Sequence, residues 1–185
     1  AVALMALGLY QTAANRLESI AKSINKGPGF KADLLGQASR AWLLAGDAGR
    51  AEAAATSALR LAPKDPRLLI NRAQARAEIG DYSGAKIDLD SALAVVPNHI
   101  DALTFRAAAH RYLNNWPSAM ADVNTVLMRN PNHPEALLER GILRRLNDNN
   151  AGARTDWPKL LEIAPNASAA TAARANLEKM DLNIE

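Results

Sequence analysis

Arginine and aspartate recur in this sequence at a fixed step of 34 residues: Arg72, Arg106, Arg140 and Arg174 in one series, Asp88, Asp122 and Asp156 in the other. A planar guanidinium suits a carboxylate because two parallel N–H···O bonds can join them side by side. Two chemistries fit such a ladder. Exposed, the guanidinium groups would hold an anionic ligand. Buried, they would pair with the aspartates and tie helices together, and this structural role is the expected one. Where the ladder stops, Ala38 and Ala54 replace both members at once, which couples the two series. Pairing inside a repeat and pairing with the next repeat both satisfy the spacing. Arg174 has no later aspartate in its own unit and favours the second arrangement. Removing one member of such a pair strands a buried charge, at a cost of about 3–5 kcal/mol.

Other reactive types are sparse. His99 and His133 share one register position after Pro-Asn, which predicts a turn role; one repeat apart, they are too distant to share a zinc ion. His110 stands alone, and there is no cysteine. No HExxH, phosphate loop or nucleophile elbow occurs. Asp88 and Asp90 are two residues apart and do not face together on a helix. No catalytic residue, metal or cofactor is therefore expected.

The elements that must carry the ladder are helix pairs. Proline recurs at Pro63, Pro97, Pro131 and Pro165, and alanine at Ala51, Ala85, Ala119 and Ala153, each at the same 34-residue step. The repeats span 32–65, 66–99, 100–133 and 134–167. Residues 1–31 form N-terminal helices of a preceding degenerate repeat. Residues 168–185 form a closing helix whose final DLNIE serves as a frayed end, and all of it is one domain. Apolar periodicity predicts first helices over 32–45, 68–79, 101–113 and 135–146. The second helices run over 48–61, 85–95, 118–129 and 151–163. Lys26-Gly27-Pro28-Gly29 breaks the pattern and interrupts the register. Pro66, Pro117 and Pro134 suit first-turn positions, whereas Pro158 should kink its helix or shorten its start.

Composition adds bounds. The 39 alanines among 185 residues favour closely packed helices. The net charge of +3 comes from mixed rather than clustered charges, so it does not point to nucleic acid. Arg140, Arg144 and Arg145 gather on one helix, near Arg106 and Arg111, but Glu135 and Glu139 dilute them. The opening nine residues are apolar yet too short to span a bilayer, and membrane insertion is not expected. The chain begins at Ala1 in mid-pattern and reads as part of a longer protein, with any targeting segment upstream; cytoplasm and periplasm are equally compatible.

The pattern resembles the tetratricopeptide repeat family, whose unit is a 34-residue helix–turn–helix. In the second repeat the resemblance rests on Leu69, Ala73, Gly80, Tyr82, Ala85, Ala92 and Pro97. Leu35, Trp42, Gly46 and Ala58 carry it in the first, Leu103, Ala107 and Trp116 in the third, and Leu137, Gly141 and Leu160 in the fourth. It implies an all-α solenoid, a right-handed superhelix whose first helices line a concave groove. The arginines stand where the family usually has leucine.

The implied groove contacts are Arg67, Asn71 and Gln74, then Thr104, Phe105, Ala108, Arg111 and Tyr112, then Leu138, Ile142 and Arg145. Phe105 and Tyr112 would anchor, and Arg111 and Arg145 would attract a carboxylate. The expected ligand is an extended peptide with apolar groups and a carboxylate. One family subtype clamps the C-terminal carboxylate of chaperone tails. The equivalent residues here are Asp33, Gln37, Asn71, Asp101 and Phe105, of which only Asn71 fits, so that subtype is rejected. The expected function is a non-catalytic scaffold for a protein or peptide. The alternative is an assembly module of a larger bacterial, envelope or secretion protein, acting through its convex face or ends. A homo-oligomer is compatible with the sequence but not indicated by it.

Overall fold

The computed structural model describes residues 2–182, and every regular element among them is a helix. In order these are α1 (Val2–Ala6), α2 (Tyr10–Ser23), α3 (Pro28–Leu44), α4 (Ala48–Leu61), α5 (Pro66–Glu78) and α6 (Tyr82–Val95). They are followed by α7 (Ile100–Tyr112), α8 (Trp116–Arg129), α9 (Pro134–Leu146), α10 (Asn150–Ile163) and α11 (Ser168–Leu182). Of the tail expected to fray, Asp181 and Leu182 instead continue α11, and the rest lies outside the described residues. No described helix is long and apolar enough to cross a membrane.

Each first helix ends the same way. One residue takes a left-handed conformation, with φ of 77° at Gly46, 84° at Gly80, 57° at Asn114 and 58° at Asp148. Glycine adopts this freely, and asparagine and aspartate tolerate it better than other residues. The next amide then reaches back to a carbonyl five residues earlier, as from Asp81 to Arg76 O at 2.8 Å and from Asn149 to Arg144 O at 2.8 Å. In three of the four repeats that residue also caps the following helix: Asp47 Oδ1 accepts from the Arg50 amide, Asp81 from Gly84 and Asn149 from Gly152, whereas Asn115 makes no side-chain cap. Beyond the second helices stand Pro63, Pro97, Pro131 and Pro165, in equivalent places.

Small residues set the spacing within a repeat. Ala51, Ala85, Ala119 and Ala153 are fully buried. At a second pair of register positions the sizes vary together: Ala73 with Leu89, Ala107 with Val123 and Gly141 with Trp157, all of them buried. A Cβ at Gly141 would sit 2.6 Å from two carbons of the Trp157 indole, so only glycine admits that ring.

Two compact units carry these helices, one of residues 1–102 and one of residues 103–185. The core of the first gathers Ala13, Ala14 and Leu17 of α2 with Ala38, Ala41 and Trp42 of α3 and Ala51 of α4. In the second, Ala107, Ala119, Val123 and Leu143 form a cluster with Trp116 and Met120 against it.

Four helix starts differ from expectation by two residues or more, those of α3, α5, α6 and α8; α5 opens at Pro66, two residues before its apolar pattern. The Gly27-Pro28 break starts α3 rather than preceding it: Pro28 is a first-turn proline, and α3 has 17 residues where α5, α7 and α9 have 13. Pro28 stands to the left-handed Gly8 as Pro66 stands to Gly46, so the register interruption is one extra helical turn inserted into α3. Helices α6 and α8 begin earlier than periodicity suggested, because Tyr82 and Trp116 take up the first turn. Helix α10 starts at Asn150 and runs through Pro158, so the proline does not shorten it. Complete burial of Trp157 and Leu160 on either side holds the helix against the lost hydrogen bond.

Candidate interaction groove

The arginine–aspartate pairs lie within repeats. Arg72 donates Nε to Asp88 Oδ2 at 2.8 Å and Nη2 to Oδ1 at 2.6 Å. Arg106 holds Asp122 at 2.8 and 2.7 Å, and Arg140 holds Asp156 at 3.0 and 2.6 Å. The cross-repeat arrangement favoured by Arg174 is therefore corrected. The rotation of each second helix turns its aspartate toward the arginine of its own first helix. Arg174 forms no aspartate pair; its Nη2 donates to the Pro165 carbonyl at 2.8 Å. Asp88 and Asp156 are almost wholly buried and the arginines only partly exposed, so the set ties helices together instead of offering a free cationic face. Asp88 holds the Arg72 guanidinium above its ordinary pKa by hydrogen bonding.

Sequence reasoning missed a second layer. Arg76 Nη1 also donates to Asp88 at 2.9 Å and to the Gly84 carbonyl at 3.3 Å. Arg144 repeats this with Asp156 at 2.8 Å and the Gly152 carbonyl at 3.1 Å. The signal was present, since Arg76 and Arg144 follow Arg72 and Arg140 by one helical turn on the same face. Arg76 reaches the preceding repeat as well, at 3.0 Å from Glu52. The basic cluster on α9 is thereby occupied by protein, with Arg140 and Arg144 on Asp156 and Arg145 Nη1 on Asn176 Oδ1 at 3.3 Å. His99 and His133 cap α7 and α9, their Nδ1 atoms accepting from the amides of Ala102 and Ala136.

The groove residues of the second unit are more engaged than expected. Arg111 is held by both oxygens of Glu139, at 2.7 and 3.1 Å, and its guanidinium stacks on Tyr112 at 4.1 Å from the ring centre. Burial opposes the Arg111 charge, but the carboxylate prevails and holds its pKa above the ordinary value. Arg111 is thus not a free cation for a ligand carboxylate, because a groove glutamate from the next repeat neutralises it. Thr104 is buried rather than lining the groove. Phe105, Ala108, Leu138 and Ile142 are partly buried, and Tyr112 is exposed.

In the first unit the first helices α3 and α5 bound an open depression of about 470 Å³. Its floor is Leu34 and Leu68, which fit closely because Gly36 has no side chain; a Cβ there would lie 2.5 Å from Leu68 Cδ2. Asn71 Nδ2 donates to the Gly36 carbonyl at 3.1 Å. Arg67 bridges Asp65 at 2.7 Å and Asp33 at 2.9 Å. Gln37 and Arg40 complete the wall, and the extra turn of α3 adds Phe30. Of the residues singled out from sequence, Arg67 and Asn71 line this depression, whereas Gln74 is partly buried on α5 and does not line it.

Residues 40–112 match the tetratricopeptide repeat family. Comparison with curated proteins finds no match. Among solved structures, a tetratricopeptide repeat protein from Parabacteroides merdae ATCC 43184 is 32% identical over 82% of this chain, with a TM-score of 0.62. The chain spans only 60% of that protein's length. TTC0263, a thermophilic TPR protein in Thermus thermophilus, is 20% identical, covers 95% of this chain and 94% of its own, and has a TM-score of 0.76; this is a likeness of fold. The first TPR of Spaghetti (RPAP3), solved bound to an HSP90 peptide, is 27% identical over 66% of this chain and 95% of its own, with a TM-score of 0.60. Arrays of this repeat are in general non-catalytic surfaces for binding proteins. Register, turn chemistry and these matches together make the chain a member of the tetratricopeptide repeat family.

Proposed function

We propose that this chain is a non-catalytic scaffold that holds an extended stretch of a partner protein along the face formed by its first helices α3 and α5. The observation that carries this reading is the open depression between α3 and α5. It offers polar side chains, an exposed aromatic and an apolar floor in one place, the mixture that recognition sites use. The peptide bound to the first TPR of Spaghetti supports the same class of partner. The subtype's clamp on a terminal carboxylate is not carried over, because Asp33 stands here where that clamp places a cation. A capture experiment from native extract tests the proposal. Alanine substitutions of Gln37, Arg40 and Asn71 should release the captured protein, while changes on the second helices should not.

A second reading has one observation in its favour. Ile87 on α6 and Met128 on α8 are large apolar residues, 63% and 77% exposed. An assembly module acting through a second helix of either unit would use the one that unit carries. Capture that survives the first-helix substitutions but fails with Ile87→Ser or Met128→Ser would move the function to the helix carrying the sensitive residue.

A further inference from the structure

The extra turn of α3 lengthens one face of that helix, and the residues along it are not electrostatically balanced. Phe30, Asp33, Gln37 and Arg40 fall at helical spacing on one stripe, and all four line the depression. Phe30, 46% exposed, has Lys26 Nζ 5.7 Å from its ring centre. At that end the charges balance, with Lys26 and Arg67 set against Asp33 and Asp65. At the other end Arg40 is exposed and makes no ion pair or hydrogen bond among the described residues. Arg67, Arg111 and Arg145, the other groove arginines, are all engaged by protein groups. Arg40 is therefore the surplus charge of the depression.

Resting on the binding reading above, we propose that this stripe selects an acidic partner segment, seating an apolar side chain on Phe30 and a carboxylate on Arg40. The geometry sets the spacing. Ten residues of helix separate the two anchors by about 15 Å, and an extended chain at about 3.3 Å per residue covers that distance in four or five residues. One surplus guanidinium suits one carboxylate; it does not make a track for a polyanion. The inserted turn is what creates the second anchor, since a first helix of the length of α5 would begin after Phe30.

The test is selection of a displayed library of random twelve-residue peptides on the intact protein and on three variants. The wild type should enrich peptides with Asp or Glu four or five residues from a large apolar residue. Arg40→Glu should lose that acidic preference and gain Lys or Arg there, and wild-type-selected peptides should bind it at least about tenfold more weakly. Phe30→Ala should lose the apolar preference alone. Arg129→Glu, the same charge change at an exposed arginine of α8, should change nothing. Acidic enrichment that persists with Arg40→Glu, or disappears with Arg129→Glu, overturns the inference. Wild-type enrichment without the acidic–apolar pair overturns it while leaving peptide binding intact. No enrichment at all overturns the binding reading and the inference together.

Discussion

Arg106 grips Asp122 through two hydrogen bonds of 2.8 and 2.7 Å. Asp88 in the preceding repeat is shared by two arginines, Arg72 and Arg76. At the register position of Arg76 the third repeat has His110 instead. The two stations should respond differently to loss of the first arginine. Arg106→Ala leaves a largely buried carboxylate without a second arginine to hold it, and thermal or denaturant unfolding should show a loss of about 3–5 kcal/mol. Arg72→Ala leaves Arg76 on Asp88 and should cost clearly less. Equal losses would mean that Arg76 does not compensate.

Ser39 is fully buried and its Oγ has no hydrogen-bond partner. Its equivalents in the next two repeats, Ala73 and Ala107, are buried alanines. A buried hydroxyl without a partner keeps its desolvation penalty. Ser39→Ala should therefore raise stability by about 1 kcal/mol, read as a shift in denaturant midpoint at constant slope.

Gly141 and Trp157 test packing. Gly141→Ala should destabilise by about 1–3 kcal/mol, because a methyl group meets the indole ring and Trp157 Nε1 is fixed to the Leu138 carbonyl at 3.2 Å. Combining it with Trp157→Leu restores the residue types that the second repeat has at these register positions, Ala73 and Leu89. The double variant should then be more stable than the sum of the two single effects predicts.

Asp65 caps α5 and bonds Arg67, and those bonds hold its pKa below the ordinary 3.8. A lowered carboxylate pKa gives stability that is whole above pH 3.8 and fades as pH falls through the lower folded value. Asp65→Asn keeps a capping oxygen but removes the titration. Its stability relative to the parent should improve as pH drops below about 4, by no more than about 1 kcal/mol, since Arg67 is largely exposed. A constant difference between parent and variant across pH 2–7 would remove Asp65 from the acid response.

The 34-residue step determined which residues are equivalent, and with them the turns, caps, closing prolines and small contact positions. These are local or periodic properties, set by backbone conformations open to glycine and asparagine and by helices that repeat one face. The same step also showed that arginine and aspartate belong to one system, because both vanish together at Ala38 and Ala54. It did not say which aspartate meets which arginine, since adding 34 to either number leaves the pattern unchanged. Only the rotation and approach of the packed helices chose Asp88 for Arg72 and brought Arg76 to the same carboxylate.

The groove was legible as a set of positions but not as a distribution of free charge. Arg111 is attractive to a ligand as a sequence letter, yet Glu139 neutralises it from 28 residues away, while Arg40 is left exposed. The charge a surface presents depends on distances between helices from different repeats, and those distances exist only once the helices have packed. The extra turn of α3 belongs to the same class. The sequence marked a break at Gly27-Pro28, but whether that proline ends one helix or opens the next depends on the backbone on either side, and in the fold Pro28 takes the first turn of α3 and the helix continues through Gly29 and Phe30.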